Sequence, residues 1–88
     1  MKIKKGFVLR NMGDQFVVVA VGAAAQQFRG MLRLNAMGAE IWNRIAAGTE
    51  ETALVNGLIE EYDAPAEKIA GDVSRILATL REVGALDE

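Results

Sequence analysis

The sequence predicts an α+β fold in which a three-stranded antiparallel sheet is followed by three helices. In the first third of the chain, apolar residues alternate or run together as β-branched residues, which is typical of strands. Beyond Asn35 they recur every three to four residues, as they do in amphipathic helices. Runs of strands followed by runs of helices belong to the α+β class, in which helices pack on one face of an antiparallel sheet.

The size and composition of the chain indicate one small domain over residues 1–88. The chain is 51% hydrophobic and 25% charged, which is within the globular range, and its length allows one compact core. It has no cysteine and no histidine. Disulfides, thiolate chemistry, the usual zinc ligands and the commonest general base are therefore excluded.

Charge and hydropathy limit the partners of the chain. The net charge is -2, whereas phosphate binding usually needs a dense basic surface, so we expect no nucleic-acid partner. Lys2, Lys4 and Lys5 do not begin a signal peptide, because the apolar run that follows them is soon interrupted. No segment has the roughly 20 apolar residues that span a bilayer. We expect a cytoplasmic protein with no membrane partner.

Two strands open the chain. The first runs from Phe7 to Met12, and the second, from Gln15 to Val21, is rich in β-branched residues. The connection through Gly13-Asp14 predicts a hairpin. The second strand is apolar on both faces, so a further layer or a partner should cover the face that the helices leave open.

A third strand is predicted from Phe28 to Leu34. The segment before it, Gly22 to Gln27, has the composition of a loop, although its three consecutive alanines also suit a helical turn. Gly30 has no side chain, so it either allows another backbone to come close or marks a bulge.

Asn35 predicts the start of the first helix, from Ala36 to about Ala47, because its side-chain oxygen can cap the free N–H groups of the first turn. Gly48 suits the left-handed position that ends a helix. One helical face carries Gly38, Ile41, Trp42 and Ile45. We therefore expect Trp42 to be a core residue that contacts no ligand.

Two more helices complete the predicted order. Thr49 is expected to cap the second helix, in which Leu54, Val55, Leu58, Ile59 and Tyr62 form the apolar stripe. The third helix is predicted to begin at Ala64 or Pro65 and to end at Gly84, after which Ala85-Leu86 should fold back onto it. The apolar arc of this helix is flanked on one side by Lys68, Asp72, Arg75 and Thr79, and on the other by Ala70, Ser74 and Arg81.

The sequence lacks the usual catalytic arrangements. Its nine glycines do not have the spacing of a phosphate-binding loop. Glu60 and Glu61 are adjacent and point apart, so they cannot act as a paired acid and base. Ser74 is the only serine, and no histidine is present to activate it. We expect a protein that is not an enzyme and binds no cofactor.

A distinctive turn joins the strands to the helices, with the pattern Leu34-Asn35-x-x-Gly38-Ala39-x-Ile41-Trp42. Together with the strand opening Gly6-Phe7-Val8-Leu9-Arg10, it resembles the PqqD-like family, named for a small protein of pyrroloquinoline quinone biosynthesis. The resemblance continues through Leu58-Ile59-x-x-Tyr62-Asp63 to Asp72-Val73. Family members have threonine where Met37 stands here, which removes a hydroxyl group but leaves the helix start intact.

The resemblance implies a winged-helix-like fold and a peptide-binding function. Family members recognise the leader of a ribosomally made precursor peptide, which adds as a strand beside the third strand and lies against the third helix. A separate enzyme, often a radical SAM enzyme, then modifies that peptide. The peptide-binding residues that the resemblance implies are Phe28, Arg29, Gly30, Met31, Leu32 and Arg33 on the strand, and Lys68, Asp72, Arg75, Ile76 and Thr79 on the helix.

The cations of this implied site favour an acidic leader. They are Arg29 and Arg33 on the strand and Lys68 and Arg75 on the helix. The alternative is that each is an ordinary solvated charge.

Two other functions stay open at this point. A winged-helix domain could bind DNA, although Glu67, Asp72 and Glu82 interrupt the basic residues of the third helix. A structural subunit could instead dimerise through an exposed face containing Val17, Val19 and Val21. The expected state of the peptide-binding protein is a monomer or a weak dimer.

Overall fold

The computed structural model describes residues 1–88 and confirms the α+β fold class. In chain order, the elements are strands β1 (Lys2–Ile3), β2 (Phe7–Met12), β3 (Gln15–Ala20) and β4 (Leu32–Leu34), helices α1 (Ala36–Ala46), α2 (Glu51–Glu61) and α3 (Ala66–Val83), and strand β5 (Leu86–Asp87). The three-stranded sheet has the order β2-β3-β4, and β1 and β5 form a separate pair. No helix has the length and apolar composition that crossing a bilayer requires.

The predicted hairpin is present between β2 and β3, with a turn at Gly13-Asp14. Pairing is antiparallel throughout the sheet, and Val17 on β3 lies opposite Arg10 on β2 and Arg33 on β4. Since successive strand residues point to opposite faces, Val18 points the other way, into the core. The helices therefore cover the Val18 face and leave the Val17 face uncovered.

The core lies between that sheet face and the three helices. Trp42 is 3% exposed and belongs to the central cluster, which confirms that it is a core residue. The other members of the cluster are Phe7, Val18, Leu34, Ile41, Ile45, Leu54, Leu58, Ile69, Val73, Leu77, Leu80, Ala85 and Leu86. Burial of this apolar surface is the main source of stability for the domain.

The capping chemistry of α1 agrees with its sequence. The Asn35 side-chain oxygen accepts a hydrogen bond of 2.8 Å from the Gly38 N–H. Gly48, after the helix, has a φ of 94°, and Gly84, after α3, has a φ of 80°. Both glycines therefore occupy the left-handed conformation that ends a helix, as predicted.

The prediction that Thr49 caps α2 is wrong. The residue before the helix is Glu50, and no side chain caps the first turn. The Thr49 backbone N–H donates instead to the carbonyl of Met1, at 3.1 Å. This contact fixes Thr49 beside the first residues of the chain, its hydroxyl donates to the carbonyl of Glu50, and the helix begins at Glu51.

The third strand is shorter than predicted. Only Leu32–Leu34 pairs with β3, and Phe28 to Met31 is not strand. The Phe28 N–H donates to the carbonyl of Ala24 at 3.0 Å, and its ring stacks on Phe7, with 6.1 Å between ring centroids. These contacts tie Phe28 to the preceding 3-10 helix (Gly22–Gln26), which is the helical turn that the alanines suited.

The β1–β5 pair was not predicted, because each strand has only two residues and no alternating pattern. Ile3 lies opposite Leu86, and the Lys4 N–H donates to the carbonyl of Ala85 at 2.8 Å. Ala85 and Leu86 are both buried, which confirms that the chain folds back after α3. The pair fixes the C-terminal end of α3 beside the beginning of the chain.

Candidate functional site

Gly38 lies where the end of β4, the start of α1 and the middle of α3 come together. A Cβ atom on Gly38 would be 3.2 Å from the Leu34 Cβ, 3.2 Å from the Asn35 Oδ1 and 3.3 Å from the Ile76 Cδ1. A larger residue could enter only if these neighbours moved. The close contact establishes that the Ile76 side of α3 faces the end of β4.

One edge of the sheet is free beside this contact. β4 pairs with β3 on one side and with no strand on the other, so it offers backbone N–H and C=O groups to an incoming chain. Leu34 is buried and Leu32 is half-buried, and both lie on the face that the helices cover. The edge therefore borders an apolar surface.

The α3 side of this region is a line of half-buried residues, which we call the half-buried row. It contains Asp72, Ile76, Thr79 and Val83, spaced by four, three and four positions. Because Ile76 contacts the surroundings of Gly38, the row lies on the β4 side of α3. Of the two flanks that the sequence left open, the one with Lys68, Asp72, Arg75 and Thr79 is therefore next to β4.

The candidate site is the groove between the free edge of β4 and the half-buried row. It combines unpaired strand backbone with apolar side chains from Leu32, Ile76 and Val83, and it has the hydroxyl of Thr79 and the carboxylate of Asp72. An extended peptide needs these two kinds of contact, backbone pairing and side-chain pockets. No cluster of three or more acidic side chains is placed to hold a metal ion.

Two of the three cations of α3 are engaged by Asp72. Lys68 Nζ lies 2.9 Å from Asp72 Oδ2, and Arg75 Nη2 lies 2.8 Å from Asp72 Oδ1. The hydrogen bonds from Lys68 and then Arg75 lower the pKa of the Asp72 carboxyl. The Asp72 side chain is 13% exposed, whereas that of Lys68 is 63% exposed. Lys68 and Arg75 are therefore not two free charges, as the sequence had suggested, because a carboxylate stands between them.

The strand residues expected at the site differ in their surroundings. Phe28 is half-buried against the core and anchors its segment, while Arg29, Gly30 and Met31 are exposed. A Cβ atom on Gly30 would meet only the Phe28 ring, at 3.9 Å, so no backbone of the chain itself approaches this glycine.

Arg33 lies on the opposite face of the sheet from α3, because it is level with Val17. The strand and helix cations therefore do not converge on one point. A strand added beside β4 alternates its side chains between the two faces, so its outward residues would lie beside Arg33 and its inward residues against α3.

Charge is divided between the two halves of the molecule, which the sequence reasoning missed. Residues 1–34 contain six Lys or Arg and one Asp, a net charge of +5, whereas residues 35–88 contain four Lys or Arg and eleven Asp or Glu, a net charge of -7. Counting charges by segment would have found this division. In the helical half, Arg44, Lys68, Arg75 and Arg81 all form ion pairs with carboxylates.

These observations bear on both alternative functions. A DNA-binding α3 would need free cations, but all three of its Lys and Arg side chains are ion-paired. On the proposed dimer face, Val17 is 3% exposed and Val19 is half-buried, whereas Val21 is 45% exposed.

Comparisons with known proteins agree with this architecture. The solved structure "TbiB1 in Complex with the TbiA(beta) Leader Peptide" is 24% identical with a TM-score of 0.72, covering 99% of this chain and 100% of that chain. "Lasso peptide synthetase B1 complexed with the leader peptide" is 20% identical with a TM-score of 0.74, covering 98% of this chain and 96% of that chain. At these identities the likeness establishes the fold.

No curated protein gives a significant match. The family model described as "Coenzyme PQQ synthesis protein D (PqqD)" matches residues 15–86. The match includes β3, β4, all three helices and the turn at Asn35 through Trp42. The chain therefore belongs to the PqqD family.

Proposed function

We propose that the chain binds the leader of a ribosomally made precursor peptide and presents it to a separate peptide-modifying enzyme. The observation that carries this proposal is the free edge of β4 beside the half-buried row of α3. Family membership and the two similar structures, both complexes with leader peptides, support it. The family resemblance favours a radical SAM enzyme as the modifying enzyme and the cytoplasm as the place of action.

In this proposal the leader adds as a strand beside β4. Backbone hydrogen bonds to the residues of β4 (Leu32–Leu34) whose N–H and C=O groups point away from β3 give affinity, and alternate side chains give specificity. Inward side chains pack against Ile76 and Thr79, while outward ones lie beside Arg33. Phe28 to Met31 continue the surface along the same edge.

Presentation is a matter of proximity in this proposal. The chain supplies no catalytic group; it holds the leader while the enzyme acts on the part of the peptide that follows. When one protein binds both leader and enzyme, the reacting segment has a high effective concentration at the active site. In this proposal the chain acts as a monomer or a weak dimer.

Amide hydrogen exchange, measured residue by residue by NMR with and without a synthetic leader, tests the proposed edge. We expect added protection at those amides of Leu32–Leu34 that point away from β3, and chemical-shift changes at Ile76 and Thr79. Strand addition protects backbone amides by pairing them. Protection confined to β2, at the opposite edge of the sheet, would contradict docking at β4.

Two variants of α3 test which flank faces the leader. Thr79→Glu places a charge and bulk in the half-buried row, whereas Ser74→Glu places the same side chain on the exposed opposite flank. We expect Thr79→Glu to weaken leader binding and Ser74→Glu to leave it unchanged, as measured by calorimetry. Thermal unfolding of both variants shows whether the fold is retained. The reverse order of effects would move the site to the other flank.

A further inference from the structure

The sheet face that the helices leave uncovered carries exposed large apolar side chains. Val8 and Met12 lie on this face, because they are opposite Val19 and Gln15 of β3, and Val21 continues β3 with an extended backbone. The other exposed large apolar residues, Met31 and Tyr62, lie outside the sheet. We call the surface formed by Val8, Arg10, Val19, Val21 and Arg33 the outer sheet face.

The strand register orders this face into two rows. Val8 lies opposite Val19, which gives an apolar row, and Val17 lies between Arg10 and Arg33, which gives a cationic row. Val17 is 3% exposed although it does not belong to the core cluster on the other side of the sheet. Its cross-strand neighbours are both arginines, and the aliphatic stem of arginine can cover apolar surface while its guanidinium stays in water.

The charges of the outer sheet face have no partner within the chain. Neither Arg10 nor Arg33 forms an ion pair, in contrast to all four cations of the helical half. Two copies of this face would oppose arginine to arginine, which disfavours a symmetric dimer. A partner surface that complements the outer sheet face is apolar at its centre and has carboxylates around it.

A concave depression adjoins the apolar row. It has a volume of about 630 Å³ and is lined by Lys5, Gly6, Val21, Gly22, Ala23 and Ala24. Val21 belongs both to this depression and to the outer sheet face. Small side chains and backbone form most of the lining, and the Lys5 ammonium adds a third unpaired cation. Such a pocket beside a flat apolar row suits an anchoring side chain of a protein partner.

We infer that the outer sheet face docks the peptide-modifying enzyme, through a surface of that enzyme on which carboxylates surround an apolar anchor. The anchor enters the depression, and the carboxylates pair with Lys5 and Arg10. This inference rests on the proposed function and adds a second site to it. Arg10 and the depression lie away from the free edge of β4, where the leader docks, so leader and enzyme are bound at the same time.

The test uses the full chain, a synthetic leader peptide and a purified peptide-modifying enzyme that acts on the same precursor. The variant combines Val8→Thr with Arg10→Glu, both on β2, at the sheet edge opposite β4. Val8→Thr keeps a β-branched side chain, so the strand is retained. We expect the dissociation constant for the enzyme to rise by about ten-fold or more, and that for the leader to stay within about two-fold of the parent.

Arg81→Glu is the charge-matched control, since it makes the same charge change on the far flank of α3, and it should leave enzyme affinity nearly unchanged. Val21→Glu is a second variant, which fills the depression without touching β2, and it should also weaken enzyme binding. Unaltered enzyme affinity in both folded outer-face variants would overturn the inference while leaving the proposed function intact. Absence of leader binding by the parent would refute the proposed function itself.

Two further measurements test whether a second copy of the chain, DNA or a lipid surface binds the outer sheet face instead of the enzyme. Sedimentation of the parent and the double variant would overturn the inference if the parent were a dimer and the variant a monomer. Titration with duplex DNA and with phosphatidylglycerol vesicles at physiological salt would overturn it if either bound the parent and not the double variant. We expect a monomeric parent that binds neither.

Discussion

Arg75 donates a hydrogen bond of 2.8 Å to the carboxylate of Asp72, one turn earlier on α3. Lys68 donates to the other oxygen of the same carboxylate. The α3 border of the groove therefore presents two cations and one anion, instead of the two free cations that the sequence suggested. Asp72 thus limits the attraction that α3 exerts on an acidic leader.

Replacing Asp72 should strengthen the binding of an acidic leader. Asp72→Asn keeps the shape of the side chain and releases Lys68 and Arg75, so we expect affinity to rise about two- to five-fold at low salt. The gain should shrink as salt rises, because screening weakens exposed charge contacts. Calorimetry at two salt concentrations measures this change. Weaker binding by Asp72→Asn would mean that the carboxylate itself contacts the leader.

The same carboxylate should contribute to acid sensitivity. Its pKa is lowered below the ordinary value of 3.8, first by the hydrogen bond from Lys68 and then by that from Arg75. The contribution of Asp72 to stability is therefore present above the unfolded-state pKa and is lost as pH falls through the folded-state pKa. Urea unfolding should show the parent losing its advantage over Asp72→Asn between about pH 5 and pH 2. An advantage that stayed constant across this range would rule out the linkage.

Trp42 should be a major source of stability. Its side chain is 3% exposed in the core cluster, so Trp42→Ala should lower the free energy of unfolding by about 3 to 5 kcal/mol. Denaturant titration followed by circular dichroism gives this value. A variant as stable as the parent that had lost leader binding would identify Trp42 as a ligand contact instead.

Two helical glycines should respond to alanine with opposite signs. At Gly38 the new Cβ would press on Leu34, Asn35 and Ile76, all within 3.3 Å, so we expect a loss of about 1 to 3 kcal/mol. At Gly71, on α3, a Cβ would meet nothing within 4 Å, so Gly71→Ala should add about 0.5 to 1 kcal/mol through helix propensity. Chemical denaturation of both variants provides the comparison. A stabilised Gly38→Ala variant would show that its neighbours move apart easily.

Replacing Gly30 should weaken leader binding with little effect on the stability of the fold. A Cβ there would meet only the Phe28 ring, at 3.9 Å, and the backbone does not require glycine. We therefore expect Gly30→Val to change the free energy of unfolding by less than about 0.5 kcal/mol and to weaken leader binding. Paired unfolding and calorimetric titrations measure the two effects. Unchanged affinity would place the docking edge away from Gly30.

The sequence was most informative where local chemistry decides the structure. Asn35, Gly48 and Gly84 act within one helical turn of their own positions, so their roles could be predicted. The extent of β4 could not, because Phe28 is held by a ring stack with Phe7, which is distant in the sequence. The ion pairs of Asp72 could have been predicted from residue spacing, because Lys68 and Arg75 lie four and three positions from it on the same helix.

The groove was harder to predict than the elements that form it. Which flank of α3 faces β4 depends on the contact of Ile76 at Gly38, and helical periodicity alone does not orient a helix about its axis. Likewise, the position of Arg33 beside Val17 depends on strand register. Both relationships depend on contacts between different elements, so the residue pattern of a single element cannot predict them.

The length of β4 limits how long a leader stays bound. Three residues allow only a few backbone hydrogen bonds along the edge, each contributing about 0.5 to 1.5 kcal/mol net. That gain is comparable to the entropic cost of association, so the ladder by itself gives a short residence time. Rapid exchange suits a carrier, because one copy can release a processed peptide and collect the next, so few copies serve many precursors.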